Sequence, residues 1–134
     1  MKLVFSFLLS FICVSQAYCN TESPITTAGD YAFVSGQFPI DPISGTMVVA
    51  DIGTLTQITI QNIAHLLKTK GLGLKKVVST VVYLTDIRDY DAMNEAFLQE
   101  FDFTFPPAIQ VVAVSELPLK SRIEIACTAY RYRY

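Results

Sequence analysis

Between Asp51 and Lys70 the apolar residues Ile52, Ile60, Ile63 and Leu67, with Thr56 and Thr59 between them, recur at spacings of three and four. That is the period of one face of an α-helix. Asp51 is a natural N-cap, Lys68 and Lys70 suit the negative end of the helix dipole, and Gly71 closes the helix. A second helix opens at Asp89 and carries Met93, Phe97 and Phe101 on one stripe. The remaining apolar runs read as strands: Tyr31 to Gln37, a short one at Met47 to Ala50, Val77 to Thr85, Ala108 to Val114 and Arg122 to Tyr130. Val77 to Thr85 is continuously β-branched, as in a strand covered on both faces. Pro39, Asp41, Pro42 and Gly45 force an ordered loop by fixing dihedrals and removing amide donors. The order strand, strand, helix, strand, helix, strand, strand predicts an α+β fold, with two helices packed on one face of a mixed β-sheet. The other sheet face stays uncovered in a single chain, and its apolar content predicts burial by self-association.

The 134 residues, 51% of them hydrophobic, suffice for one core. A formal net charge of −2 and a pI of 5.2 offer no basic surface for phosphate backbones, so nucleic acid is not expected as a partner. Part of the apolar content is concentrated at the start. Lys2, the apolar run Leu3 to Val14 and then Ser15-Gln16-Ala17 have the form of a secretory signal peptide. The run is shorter than the roughly 20 apolar residues that span a bilayer. The expectation is a signal at residues 1–19, cleaved near 17–19, and a single domain at 20–134. Such a protein is exported, periplasmic or secreted, without stable membrane insertion after cleavage. Cys13 leaves with the signal and Cys127 sits in an apolar strand, so no disulfide framework is expected. No metal-type spacing is present, and no cofactor motif: Gly71-Leu72-Gly73 follows a helix rather than a strand. The single histidine, His65, falls on the solvent side of the first helix.

Three islands carry more information. The first is Ser35-Gly36-Gln37-Phe38-Pro39-Ile40-Asp41-Pro42, continuing to Ser44-Gly45. The second is Val81 and Tyr83-Leu84-Thr85-Asp86 with Met93-Asn94-Glu95, and the third is Leu117-Pro118 followed by Ser121-Arg122-Ile123-Glu124-Ile125. In this order they resemble the Rid/YjgF (reactive intermediate deaminase, RidA-like) family over about residues 29–130. The resemblance implies a YjgF/chorismate-mutase-like fold, a homotrimer, and clefts between subunits that bind a small-molecule ligand. In active members an arginine grips the substrate carboxylate, and a glutamate positions the water that hydrolyses an enamine or imine. Residue by residue, Gly36 matches the glycine bordering the cleft, Asn94 the helix asparagine, and Glu124 the catalytic, water-activating glutamate.

The departures change the functional expectation. Where the family has Pro-Ala-Arg-Ser, this chain has Pro107-Ala108-Ile109-Gln110, and no arginine occurs between Arg88 and Arg122. The family's Gly-Pro-Tyr is matched by Asn20, Thr21 and Glu22, and the second glutamate of its closing strand by Ala126. Alternation places Arg122 on the Glu124 face, where it is the one candidate substitute for the missing arginine. The expected function is ligand binding in a cleft lined by Ile109 and Gln110, without efficient 2-imino acid deaminase activity. The alternatives are a surviving enamine/imine deaminase that releases ammonia and a 2-oxo acid, and a structural or chaperone-like trimer. An endoribonuclease reading lacks both phosphate affinity and an acid/base pair.

Overall fold

The computed structural model describes residues 23–101 and 104–133. The proposed signal segment and positions 20–22, matched to the family's Gly-Pro-Tyr, lie outside them. Five strands form one sheet: β1 (Ile25–Ala28), β2 (Tyr31–Gln37), β3 (Val77–Leu84), β4 (Ala108–Ala113) and β5 (Ile123–Tyr130). Their spatial order is β1-β2-β5-β3-β4, antiparallel throughout except for the parallel pair β3–β4. Two helices, α1 (Ile52–Lys68) and α2 (Tyr90–Glu100), pack on one side of it. The expected α+β architecture is therefore observed.

Helix α1 follows the sequence pattern closely. The Asp51 carboxylate accepts from the Thr54 amide at 3.0 Å, satisfying one of the free N–H groups of the first turn. Ile52, Ile60, Ile63 and Leu67 are buried, and so are Thr56 and Thr59. Their hydroxyls return to the Ile52 and Leu55 carbonyls at 2.7 and 2.8 Å, which removes the cost of burying them. After the Thr69 cap, Gly71 adopts φ +68°, and Leu72 N–H bonds back to the Leu67 carbonyl. Along β5 the residues Ile123, Ile125, Cys127 and Ala129 are buried, and their alternates are half-buried. The buried set meets Met93 and Phe97 of α2 and the α1 stripe in one core.

Two local expectations are corrected. Met47 to Ala50 is not a strand; it forms a single bridge, Ile40 to Met47, and Val48 N–H bonds to the Pro39 carbonyl. The loop is held instead by Asn62 on α1, which donates to the Phe38 and Ile40 carbonyls at 3.1 and 2.9 Å. An additional strand, β1, forms a hairpin with β2 through Gly29 at φ +56°. Helix α2 opens at Asp89 as expected, though without a side-chain cap bond. The Asp89 carboxylate is taken by Arg122, whose Nη2 lies 2.9 and 2.8 Å from the two oxygens.

Candidate active site

Between Val34, opposite Cys127, and Gln37, opposite Ile125, β2 has two residues where β5 has only Ala126. Ser35 and Gly36 therefore form a β-bulge. Gln37 stabilises it by donating from Nε2 to the Ser35 and Gly36 carbonyls at 3.0 and 3.2 Å. The Ser35 amide is bonded to the carbonyl of Pro24, just before β1, at 3.0 Å. The bulge turns the backbone of Gly36 toward the open face of the sheet, where Glu124 lies on it. A Cβ at position 36 would stand 1.6 Å from Glu124 Oε1, 2.5 Å from Cδ and 2.8 Å from Cγ. The glycine is required here for space and not for a left-handed backbone.

On its other side Glu124 faces Tyr83 of β3 directly across the strand pair. The next row on this face is Ala126, Val81 and Gln110. These surroundings are largely apolar, and burial raises the Glu124 pKa above the ordinary carboxylate value, with no neighbouring cation to offset it. A carboxylate desolvated in this way is suited to accept a proton from water and to return it. Tyr83 belongs to this row although sequence reasoning gave it no role. The signal was its alternation with Val81, which places both on one face of β3.

The structure separates the five predicted site residues into two groups. Gly36 and Glu124 are together, and Gln110 shares their face two strands away, roughly 10 Å across the sheet. Ile109 pairs with buried Thr80, so it points to the helix side at the β4 edge, where it is 39% exposed. Asn94 lies on α2, within the helix layer. One chain thus holds Ile109 and Asn94 on the opposite side of the sheet from Glu124.

Arg122 does not lie beside Glu124 on a strand, as alternation predicted. Strand β5 begins one residue later, and the guanidinium grips Asp89. His65 is exposed on α1, as expected. It borders a concavity of 700 Å³ that also includes Phe38, Ile40 and Leu66. That space lies on the loop and helix side, away from Glu124. Among the described residues no group of three or more His, Cys, Asp or Glu side chains is placed to hold a metal, and no helix is long and apolar enough to cross a membrane.

The bulge, the seated glutamate and the five-stranded order define a small α+β protein with two helices on one face of a mixed sheet. Residues 16–131 match the family model described as Endoribonuclease L-PSP. A RutC family protein of Pyrococcus horikoshii is 38% identical over 104 residues, covering 78% of this chain and 82% of its own. The human 2-iminobutanoate/2-iminopropanoate deaminase is 37% identical over 97 residues, covering 72% and 70%. Among solved structures, RidA from an Antarctic Psychrobacter superposes with a TM-score of 0.79 at 28% identity, covering 85% of this chain and 91% of that one. Escherichia coli TdcF with bound serine gives 0.76 at 27%, covering 82% and 87%. The chain belongs to the Rid/YjgF (RutC, L-PSP) family.

Proposed function

We propose that this chain is an exported Rid-family protein that binds a small molecule in a cleft between subunits of a homotrimer and hydrolyses 2-imino acids poorly. The observation that carries the reading is a half-retained site. Glu124 is seated on Gly36 and desolvated, while the position matching the carboxylate-gripping arginine is Ile109. Losing a forked, charge-assisted contact in a partly desolvated cleft costs about 2 to 5 kcal/mol, or roughly two to three decades in rate or binding. Arg122 is committed to Asp89 and does not replace it. The placement of Gly36 and Glu124 on one sheet face, with Asn94 and Ile109 on the other, favours a cleft completed by a second subunit. So does the exposure of Tyr31 and Phe33 on the open face, 46% and 43%.

A second reading, a working enamine/imine deaminase, is favoured by the seating of Glu124 on Gly36 and by the burial that raises its pKa above the ordinary carboxylate value, as befits a general base. Hydrolysis of 2-aminoacrylate generated in situ separates the two. An inert wild type that gains activity as Ile109→Arg supports loss of the arginine as the functional change. An active wild type silenced by Glu124→Ala makes the protein a deaminase. Export is checked by the N-terminal residue of protein recovered from its host; Met1 on cytoplasmic protein would refute it.

A further inference from the structure

The open sheet face carries a single formal charge at its strand positions, and it is negative. Reading across the register, those positions hold Thr, Ala, Ser, Val, Tyr, Phe and Gln residues around Glu124. Lys120 and Arg131 lie beyond the two ends of β5, and three arginines are engaged elsewhere. Arg122 is forked on Asp89 and Arg88 on Asp86, while Arg133 donates to the Phe105 and Pro106 carbonyls. Ile109 and Asn94, the residues that a second subunit would bring to the cleft, are uncharged.

A carboxylate-bearing ligand placed here meets an unpaired, half-dry anion, and no strand position of this face offers it a cation. An organic cation meets a counter-ion and, directly across the strand pair, the ring of Tyr83. Ammonium-type groups are held by such a carboxylate and by the negative face of an aromatic ring. We propose that the Glu124 cleft takes small primary ammonium or iminium cations that lack a carboxylate, with Glu124 as counter-ion and Tyr83 as the aromatic wall. The assignment rests on the inter-subunit cleft reading and narrows its ligand class.

With an iminium the step balances without any co-reactant but water. Water oxygen bonds to the C=N carbon as Glu124 takes one of its protons, giving a neutral carbinolamine. Glu124 returns that proton to nitrogen, the C–N bond breaks with its electron pair on nitrogen, and the hydroxyl proton follows. The sum is R–CH=NH₂⁺ plus water going to R–CHO plus NH₄⁺. The reaction that supplies such a substrate is a two-electron oxidation of a primary amine.

The test compares propylammonium with butanoate by calorimetry on the assembled protein, alongside turnover of two imines that differ only in a carboxylate. These are propan-1-imine, made from propylamine by a flavin amine oxidase, and 2-iminobutanoate, made from 2-aminobutanoate by a flavin amino-acid oxidase. Propylammonium is expected to bind at least about tenfold more tightly than butanoate, a preference that Glu124→Gln abolishes and Tyr83→Leu reduces. In wild type the preference should also shrink as salt rises, which tests the charge pairing should a variant fail to fold. Equal or tighter binding of butanoate, a preference that survives Glu124→Gln, or binding of neither probe overturns the proposal. Rapid hydrolysis of 2-iminobutanoate would instead refute the weak-deaminase reading, an outcome that the binding preference does not depend on.

Discussion

Replacing Gly36 with alanine tests the central feature of the site, because the new methyl would coincide with the Glu124 carboxyl group. The methyl must reach beyond 3.0 Å from Oε1, where it would start at 1.6 Å, and it also crowds Cδ and Cγ. A rotation about the terminal bond alone does not clear three atoms, so the glutamate has to leave its rotamer and swing into solvent. Because the obstacle is a flexible side chain rather than backbone, the cost is at the low end for overpacking, about 1 kcal/mol, or a few degrees in Tm. The larger effect is electrostatic. Once in water, the carboxylate loses the burial that raises its pKa, and its titration midpoint moves down toward the ordinary value. Carbon-detected NMR titration of Glu124 in wild type and Gly36→Ala measures this directly, with a thermal melt to record the stability change. An unchanged midpoint in a folded Gly36→Ala protein would show that Glu124 is not held by contact with this backbone.

Three further outcomes are expected. Since folding raises the Glu124 pKa, the group adds no penalty below its unfolded value and destabilises progressively as pH rises through the folded one. Glu124→Gln should therefore gain stability over wild type at pH 7 but not at pH 4, as urea midpoints at both values will show. Phe97, 1% exposed and stacked on Phe101 with centroids 4.5 Å apart, should cost about 3 to 5 kcal/mol when cut to alanine, read from the same denaturation curves. Burial pushes the Cys127 thiol up to about 12, so native protein at pH 8 should resist iodoacetamide while unfolded protein reacts, with mass spectrometry as the readout.

Much of the fold was legible because long amphipathic patterns average over many residues. The α1 stripe, its Asp51 cap and its glycine stop all lie where periodicity places them. The errors occur where one or two residues decide. Strand β1 is the four-residue run Ile25–Ala28, with only Ile25 buried, too short and polar for alternation to register. Met47 to Ala50 has strand-like residues, but its pairing stops after one bridge because the loop is anchored to Asn62. Arg122 was assigned a strand position, yet a partner 33 residues earlier, Asp89, fixes its direction. At the site, the importance of Gly36 and Glu124 was legible only through the family resemblance. The bulge that joins them depends on a register between strands almost 90 residues apart in the chain, which no local pattern encodes.

The strand order β1-β2-β5-β3-β4 also fixes when this protein can fold during synthesis. The strand that emerges last from the ribosome, β5, occupies the middle of the sheet and pairs with both β2 and β3. Until it arrives, the nascent chain has a β1–β2 hairpin and a β3–β4 pair with no hydrogen-bonded link between them, each presenting an unpaired edge. Completion of the sheet therefore waits for β5 and is a step of high contact order. A ribosome stalled before residue 123 should hold a protease-sensitive, aggregation-prone chain, and protease resistance should appear only after Tyr130 has emerged.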